Sequence, residues 1–200
     1  LFSIGLIKLN QDGTPQVGGT GQPIPTYDET VVQGFAKAFT GWSYGNAKHF
    51  DDADENAVEA WTLPMKPFPE MHSPEAKQLL DGVVLPPGGT TLADLEAALD
   101  NIFYHPNIGP FVCRQLIQRM VTSNPTPAYI ARVAAVFANN GAGIRGDLRA
   151  VVSAILLDPE ARAPLPDEYY GKQREPVIRF ANFLRGLNAR SASGINAIHY

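Results

Sequence analysis

The stretch from His105 to Phe137, HPNIGPFVCRQLIQRMVTSNPTPAYIARVAAVF, constrains the fold more than any other. Its period predicts a helix over residues 107–121, with Ile108, Val112, Cys113, Leu116, Ile117 and Met120 sweeping more than half of the circumference. So wide an apolar face needs neighbours on several sides, which makes this a central helix. The run SNPTP then breaks the chain, because proline removes a donor and biases its predecessor away from the helical region. A second helix opens near Pro127, and Ile130, Val133, Ala134 and Phe137 form a stripe at i, i+3, i+4 and i+7. A third stripe, Ile144, Leu148, Val151, Val152 and Ile155, ends at Asp158-Pro159. Leu116, Ile130, Val133, Phe137, Leu148 and Val152 are expected in one buried cluster.

Upstream, TYDE at residues 26–29 reads as a capping box with Thr26 as N-cap and Glu29 at N3. The helix behind it is expected to bury Val32, Phe35, Ala36 and Phe39 and to stop at Gly41. Ser73-Pro74 reads as the start of a short helix ending at Gly82. Thr91 caps a helix burying Leu92, Leu95, Leu99 and Ile102, and Pro176 opens a last one burying Val177, Phe180, Ala181, Leu184 and Leu187. Residues 10–25 are a glycine- and proline-rich loop with room for a short hairpin, and VVLPPGG is a loop or single short strand. LFSIGLIKLN starts in mid-pattern, like the end of a helix cut from a longer protein. PLPDEYYGK reads as an exposed linker and SASGINAIHY as a frayed tail. The expected fold is mostly α, a multi-helix orthogonal bundle forming a single domain over 1–200 with little or no strand. Residues 42–71 interrupt it as an irregular aromatic and acidic excursion.

Composition excludes several classes. A hydrophobic share of 44% supports a real core, yet no run of about 18 apolar residues marks a membrane span. The single cysteine, Cys113, cannot form an internal disulfide or a thiolate cluster. Charge is divided: residues 1–100 carry 5 Lys/Arg against 14 Asp/Glu, or −9, and residues 101–200 carry 11 against 6, or +5. Two halves packed on each other account for that. The sharper alternative is an anion-binding face on the second half, with Arg114 and Arg119 as its candidates. Arg114, Arg132, Arg149, Arg179 and Arg185 are scattered over four helices, which argues against nucleic acid.

No nucleophile elbow, phosphate loop or dinucleotide fingerprint is present, and no cofactor is called for. DDADENAV at 51–58 starts like a calcium loop, but Ala57 stands at the glycine position and Leu63 at the bidentate glutamate, so no metal site is expected there. His49, His72, His105 and His199 have no paired spacing that would hold zinc. Trp42, Tyr44, Trp61, His72 and Lys77 are the candidate binding surface. The rings sit in the least periodic part of the chain, and His72 with Lys77 beside a helix start could hold an anion.

The segments LFSIGLIKLNQDGTP, Thr26–Trp42, Met71–Lys77, HPNIGPFVCRQLIQRMVTSNPTP, YIARVAAVF, GIRGDLRAVVSAILLDPEAR and GKQREPVIRF, in that order, resemble the C-terminal portion of a bacterial family known as a domain of unknown function, number eighteen-hundred. The resemblance implies an exported protein, periplasmic or secreted, whose gene commonly neighbours a second family similar to sulfatases and phosphatases. It carries no catalytic residues across. The family's usual His-Asp pair, followed by Gly and Lys, reads His72-Ser73 here, with Glu75 at the glycine position and Lys77 kept. Half of any acid/base or metal pair is thereby lost. The leading expectation is a protein that binds a partner in the cell envelope, such as the hydrolase-like companion. Two alternatives stay open: an enzyme of hydrolase type completed by a further N-terminal region, and a glycan-binding module using Trp42 and Trp61.

Overall fold

A computed structural model describes residues 3–163 and 171–190. Most of PLPDEYYGK and the SASGINAIHY tail lie outside them. The described chain is mostly helical, with eight α-helices and two minimal two-stranded sheets. The helices are α1 (Glu29–Ala38), α2 (Val58–Thr62), α3 (Thr91–Tyr104), α4 (Ile108–Met120), α5 (Pro127–Ala138), α6 (Leu148–Leu157), α7 (Pro159–Arg162) and α8 (Pro176–Gly186). Strand β1 (Trp42–Ser43) pairs antiparallel with β2 (Lys66–Pro67), and β3 (Lys77–Gln78) with β4 (Val84–Leu85).

Helices α4, α5 and α6 hold the centre, as the His105–Phe137 period predicts. Cys113, Ile117, Tyr129, Ile130, Val133, Phe137, Val151 and Ile155 are buried in one cluster, joined by Ile4, Val31, Leu80 and Ile108. Leu116 packs against that cluster while staying partly exposed, and Val152 is half-buried. Leu148 is exposed, because α6 starts at this residue with Asp147 as its N-cap, and Ile144 precedes the helix altogether. Tyr129 places its hydroxyl on the Ile155 carbonyl at 2.6 Å, and Arg132 grips Asp158 through two bonds of 2.7 and 2.8 Å, so polar ties fix α5 to the end of α6. Burial pushes the Cys113 thiol up to about 12, leaving it an inert packing group.

The N-terminal segment is not a helix end. Ser3 and Ile4 make a turn, and the chain then runs through isolated bridges, Ile7 with Pro25, Leu9 with Pro15 and Val17 with Pro23. One side chain holds it to the bundle. Asn107, fully buried at the head of α4, accepts from the Leu9 N–H and donates to the Ile4 and Ile7 carbonyls.

Three local expectations are corrected. The N-cap of α1 is Asp28, whose carboxylate accepts from the Val31 N–H, while Thr26 is buried beside Asn107. The N-cap of α3 is Thr90 rather than Thr91. No helix runs from Ser73 to Gly82. Asp81 and Gly82 both adopt positive φ, 53° and 75°, which turns the chain into the β3–β4 hairpin. Asp-Gly between apolar neighbours, LLDGVV, is the residue pair such a turn selects.

Helices α1 and α3 also turn their faces around. Helix α1 buries Val31, Gly34 and Ala38, and α3 buries Thr91, Asp94 and Ala98. Val32, Phe39, Leu92 and Leu99, the large residues of the expected core stripes, are exposed. The cause is close approach: a Cβ at Gly34 would stand 1.8 Å from the Gln78 carbonyl oxygen, so α1 lies almost on the backbone of β3. Small residues permit that contact and large ones are left outside.

Candidate functional site

Strand β3 carries Lys77 into the interior, where its side chain is wholly buried. Its ammonium has three donors, and three oxygens meet them: Asp94 Oδ2 at 2.7 Å, the Ser73 carbonyl at 2.8 Å and the Glu75 carbonyl at 2.9 Å. The same carboxylate oxygen lies 3.0 Å from His72 Nε2. The other ring nitrogen, Nδ1, faces the Thr40 carbonyl at 3.0 Å. Thr40 also gives its hydroxyl proton to the Lys37 carbonyl and accepts from the Ser73 N–H. Burial pushes the Asp94 carboxyl up, but the Lys77 ammonium and the His72 ring outweigh it and hold it below the usual carboxylate range. Each charged group is therefore answered inside the chain.

The structure brings His72 and Lys77 together around Asp94, away from solvent, and β3 rather than a helix carries Lys77. Sequence reasoning missed Asp94 and Thr40. Asp94 was legible as a carboxylate in register with Thr91 and Ala98, the small face of α3, but the larger Leu92–Leu99 stripe competed with it.

A second buried histidine stands near the first turn of the bundle. His105 Nδ1 accepts from the Asn107 N–H at 3.1 Å, so Nε2 carries the proton. That nitrogen lies 3.3 Å from Asp81 Oδ2 yet off the hydrogen-bonding direction, and makes no hydrogen bond. Desolvation lowers the His105 pKa, against an opposing pull from Asp81. Lys8, bonded to Asp81 at 2.8 Å, holds that carboxyl low.

The other candidates sit apart. Trp42, in β1, is half-buried with its indole N–H unpartnered. Tyr44 packs edge-on against Trp61 at 5.4 Å and 71°, so the two rings offer no coplanar stacking platform. Trp61 is 70% exposed, and its indole N–H is bonded to the Glu55 carbonyl at 2.8 Å. Around it Val58, Leu63 and Met65 are exposed as well. Asp52 accepts from the Lys48 and His49 N–H groups, and Asp54 from that of Asn56, so these carboxylates close turns of their own. Among the described residues no group of three or more His, Cys, Asp or Glu side chains is placed to hold a metal ion.

Arg114 and Arg119 do not converge. Five residues apart, they point roughly 140° from each other around α4, and Arg119 is paired with Glu175. No described helix is long and apolar enough to cross a membrane.

No curated protein and no solved structure matches the sequence. The family described as protein of unknown function (DUF1800) matches residues 1–199, essentially the whole chain, and the chain belongs to that family.

Proposed function

We propose that the protein works by binding a partner protein, through the surface that residues 42–71 build on the helical scaffold. The observation that carries this is Trp61. It is among the most exposed large side chains of the molecule, yet it is fixed by the Glu55 carbonyl and by the edge of Tyr44. A rigid exposed indole loses little freedom on docking, and tryptophan is the residue type that most often anchors an interface. Val58, Leu63 and Met65 extend the apolar area, and Asp51, Asp52, Asp54, Glu55 and Glu59 lie in the same excursion. Apolar surface with a charged rim is the form partner-binding patches take. The complementary partner presents an apolar pocket with basic residues around it.

The buried His72–Asp94–Lys77 group belongs to the scaffold in this reading. It ties β3 to α3 and the 72–77 segment to Thr40, at the foot of the excursion. The family resemblance extends the proposal to an exported protein that meets the sulfatase- or phosphatase-like companion in the cell envelope, which makes that companion the first partner to test. Titration calorimetry of the two purified proteins should give a saturable isotherm. Trp61→Ala should raise the Kd about 30-fold or more, the loss expected of an anchor residue, with an unchanged thermal melt. An unaltered Kd would remove this surface from the interaction.

A further inference from the structure

Residues 3–26 lie across the bundle as a strap. Their backbone bonds close on themselves, Lys8 with Ile24, Gln16 with Lys8 and Thr26 with Leu6. Beneath them are α4 and α5: a Cβ at Gly5 would stand 2.7 Å from the Phe111 ring, and one at Gly13 would stand 3.1 Å from the Ile130 side chain. Among the described residues, the strap's hydrogen bonds to the rest of the chain reach two side chains. Asn107 accepts from the Leu9 N–H and donates to the Ile4 and Ile7 carbonyls and the Thr26 hydroxyl. Asp81 accepts from the Lys8 ammonium.

His105 touches both, and its side chain is 2% exposed. Nδ1 accepts the Asn107 N–H at 3.1 Å, and Nε2 lies 3.3 Å from Asp81 Oδ2 without a hydrogen bond. The charged groups around it come from three places: Asp81 at the β3–β4 turn, Lys8 in the strap, and Arg145, which donates to the His105 carbonyl at 3.3 Å from the loop ahead of α6. A proton can enter the ring only at Nδ1, because Nε2 already carries one. Once there, it turns an acceptor into a donor facing the Asn107 N–H, and that bond is lost. The new charge also draws Asp81 and competes with Lys8 for it. One proton thus acts on both ties of the strap. The pull of Asp81 on an imidazolium does not offset this, since burial outweighs it and lowers the His105 pKa.

We propose that His105 is an acid release for the strap: protonation of Nδ1 frees residues 3–26 from α4 and α5 and uncovers Phe111 and Ile130, while the core of α4, α5 and α6 stays folded. Histidine ordinarily titrates near pH 6.5, which places the release in mildly acidic surroundings. The open strap leaves the ring in water, where it takes the proton more readily than in the closed form. Acid therefore favours opening below about pH 6.5 and has no such effect above it.

Native-state hydrogen exchange on the whole protein tests the proposal. The Leu9 amide, which donates to Asn107, reports the strap, and the Val133 amide inside α5 reports the core. Measured against intrinsic rates, the protection of Leu9 should fall about threefold or more between about pH 7.5 and pH 5, and by no more than about tenfold per pH unit, the ceiling for one proton. Leu9 should also exchange with a weaker urea dependence than Val133, the mark of an opening smaller than unfolding. His105→Asn should abolish the pH effect, because a side chain that does not titrate can still accept the N–H two residues on, as in an Asx turn. In the wild type itself, nitrogen NMR of the imidazole should show Nδ1 gaining its proton at the midpoint of the Leu9 change. Constant protection of Leu9 overturns the proposal. So does a fall retained in His105→Asn, or an Nδ1 midpoint apart from that of Leu9. Exchange of Leu9 with the full urea dependence of the core would make the event global unfolding and equally refute it.

Discussion

Lys77 is a charge that the fold has removed from water altogether, and its stability rests on Asp94. Cutting the pair from one side leaves a buried ammonium with only two carbonyls. Asp94→Ala should therefore cost about 3–5 kcal/mol, whereas the double change Lys77→Met with Asp94→Leu should recover most of it. Urea titrations of the two variants check this, and a single mutant as stable as wild type would show that the pair contributes little. The folded-state pKa of Asp94 lies below that of an unfolded aspartate. Its contribution is complete at neutral pH, fades as pH falls past about 4, and is gone below the folded value. His105 acts in a higher window with the same sign. Burial lowers its pKa, so the folded state resists protonation, and stability should drop as pH falls below about 6.5. His105→Gln should flatten that limb of the urea midpoint against pH, and an unchanged slope would assign it to another group.

Among the elements, α1 offers the sharpest reversal of an ordinary rule. Glycine inside a helix usually costs roughly 0.5–1 kcal/mol relative to alanine. At Gly34 the sign should invert, because the added methyl would meet the β3 backbone at 1.8 Å. Gly34→Ala should destabilise by about 1–3 kcal/mol through forced separation of helix and hairpin, measurable as a lowered Tm. The same contact separates what is legible in the sequence from what is not. The α4–α5 pair was legible because its stripes are both large and buried, so periodicity and burial agree. In α1 and α3 two stripes compete, one large and one small. Periodicity alone favours the large one. The hairpin that demands the small one depends on Gln78, forty-odd residues away from Gly34 in sequence, and on the Asp81-Gly82 turn, whose glycine resembles a helix stop in the sequence. Of the site, His72 and Lys77 were legible by type, and their meeting with Asp94 was not, since it exists only once α3 has packed.

At the scale of the whole molecule, the two oppositely charged halves share one main core. The acidic half builds α1, the hairpins and α3 around the buried His72–Asp94–Lys77 group and a small apolar cluster of Ala38, Leu79 and Ala98, and the arginine-rich half builds most of the main apolar core, to which Ile4, Val31 and Leu80 are added. Asn107 stitches the two through carbonyls and an N–H of the N-terminal segment, Leu9 lying 98 residues before it. Synthesis proceeds from the N-terminus at about 5–20 residues per second. The segment around Leu9 therefore waits at least several seconds for the residue that anchors it. Throughout that interval Ile4 and Leu9 have no core to enter, so a segment made 98 residues ahead of its anchor is secured late, and it is a part that a chaperone would find still open.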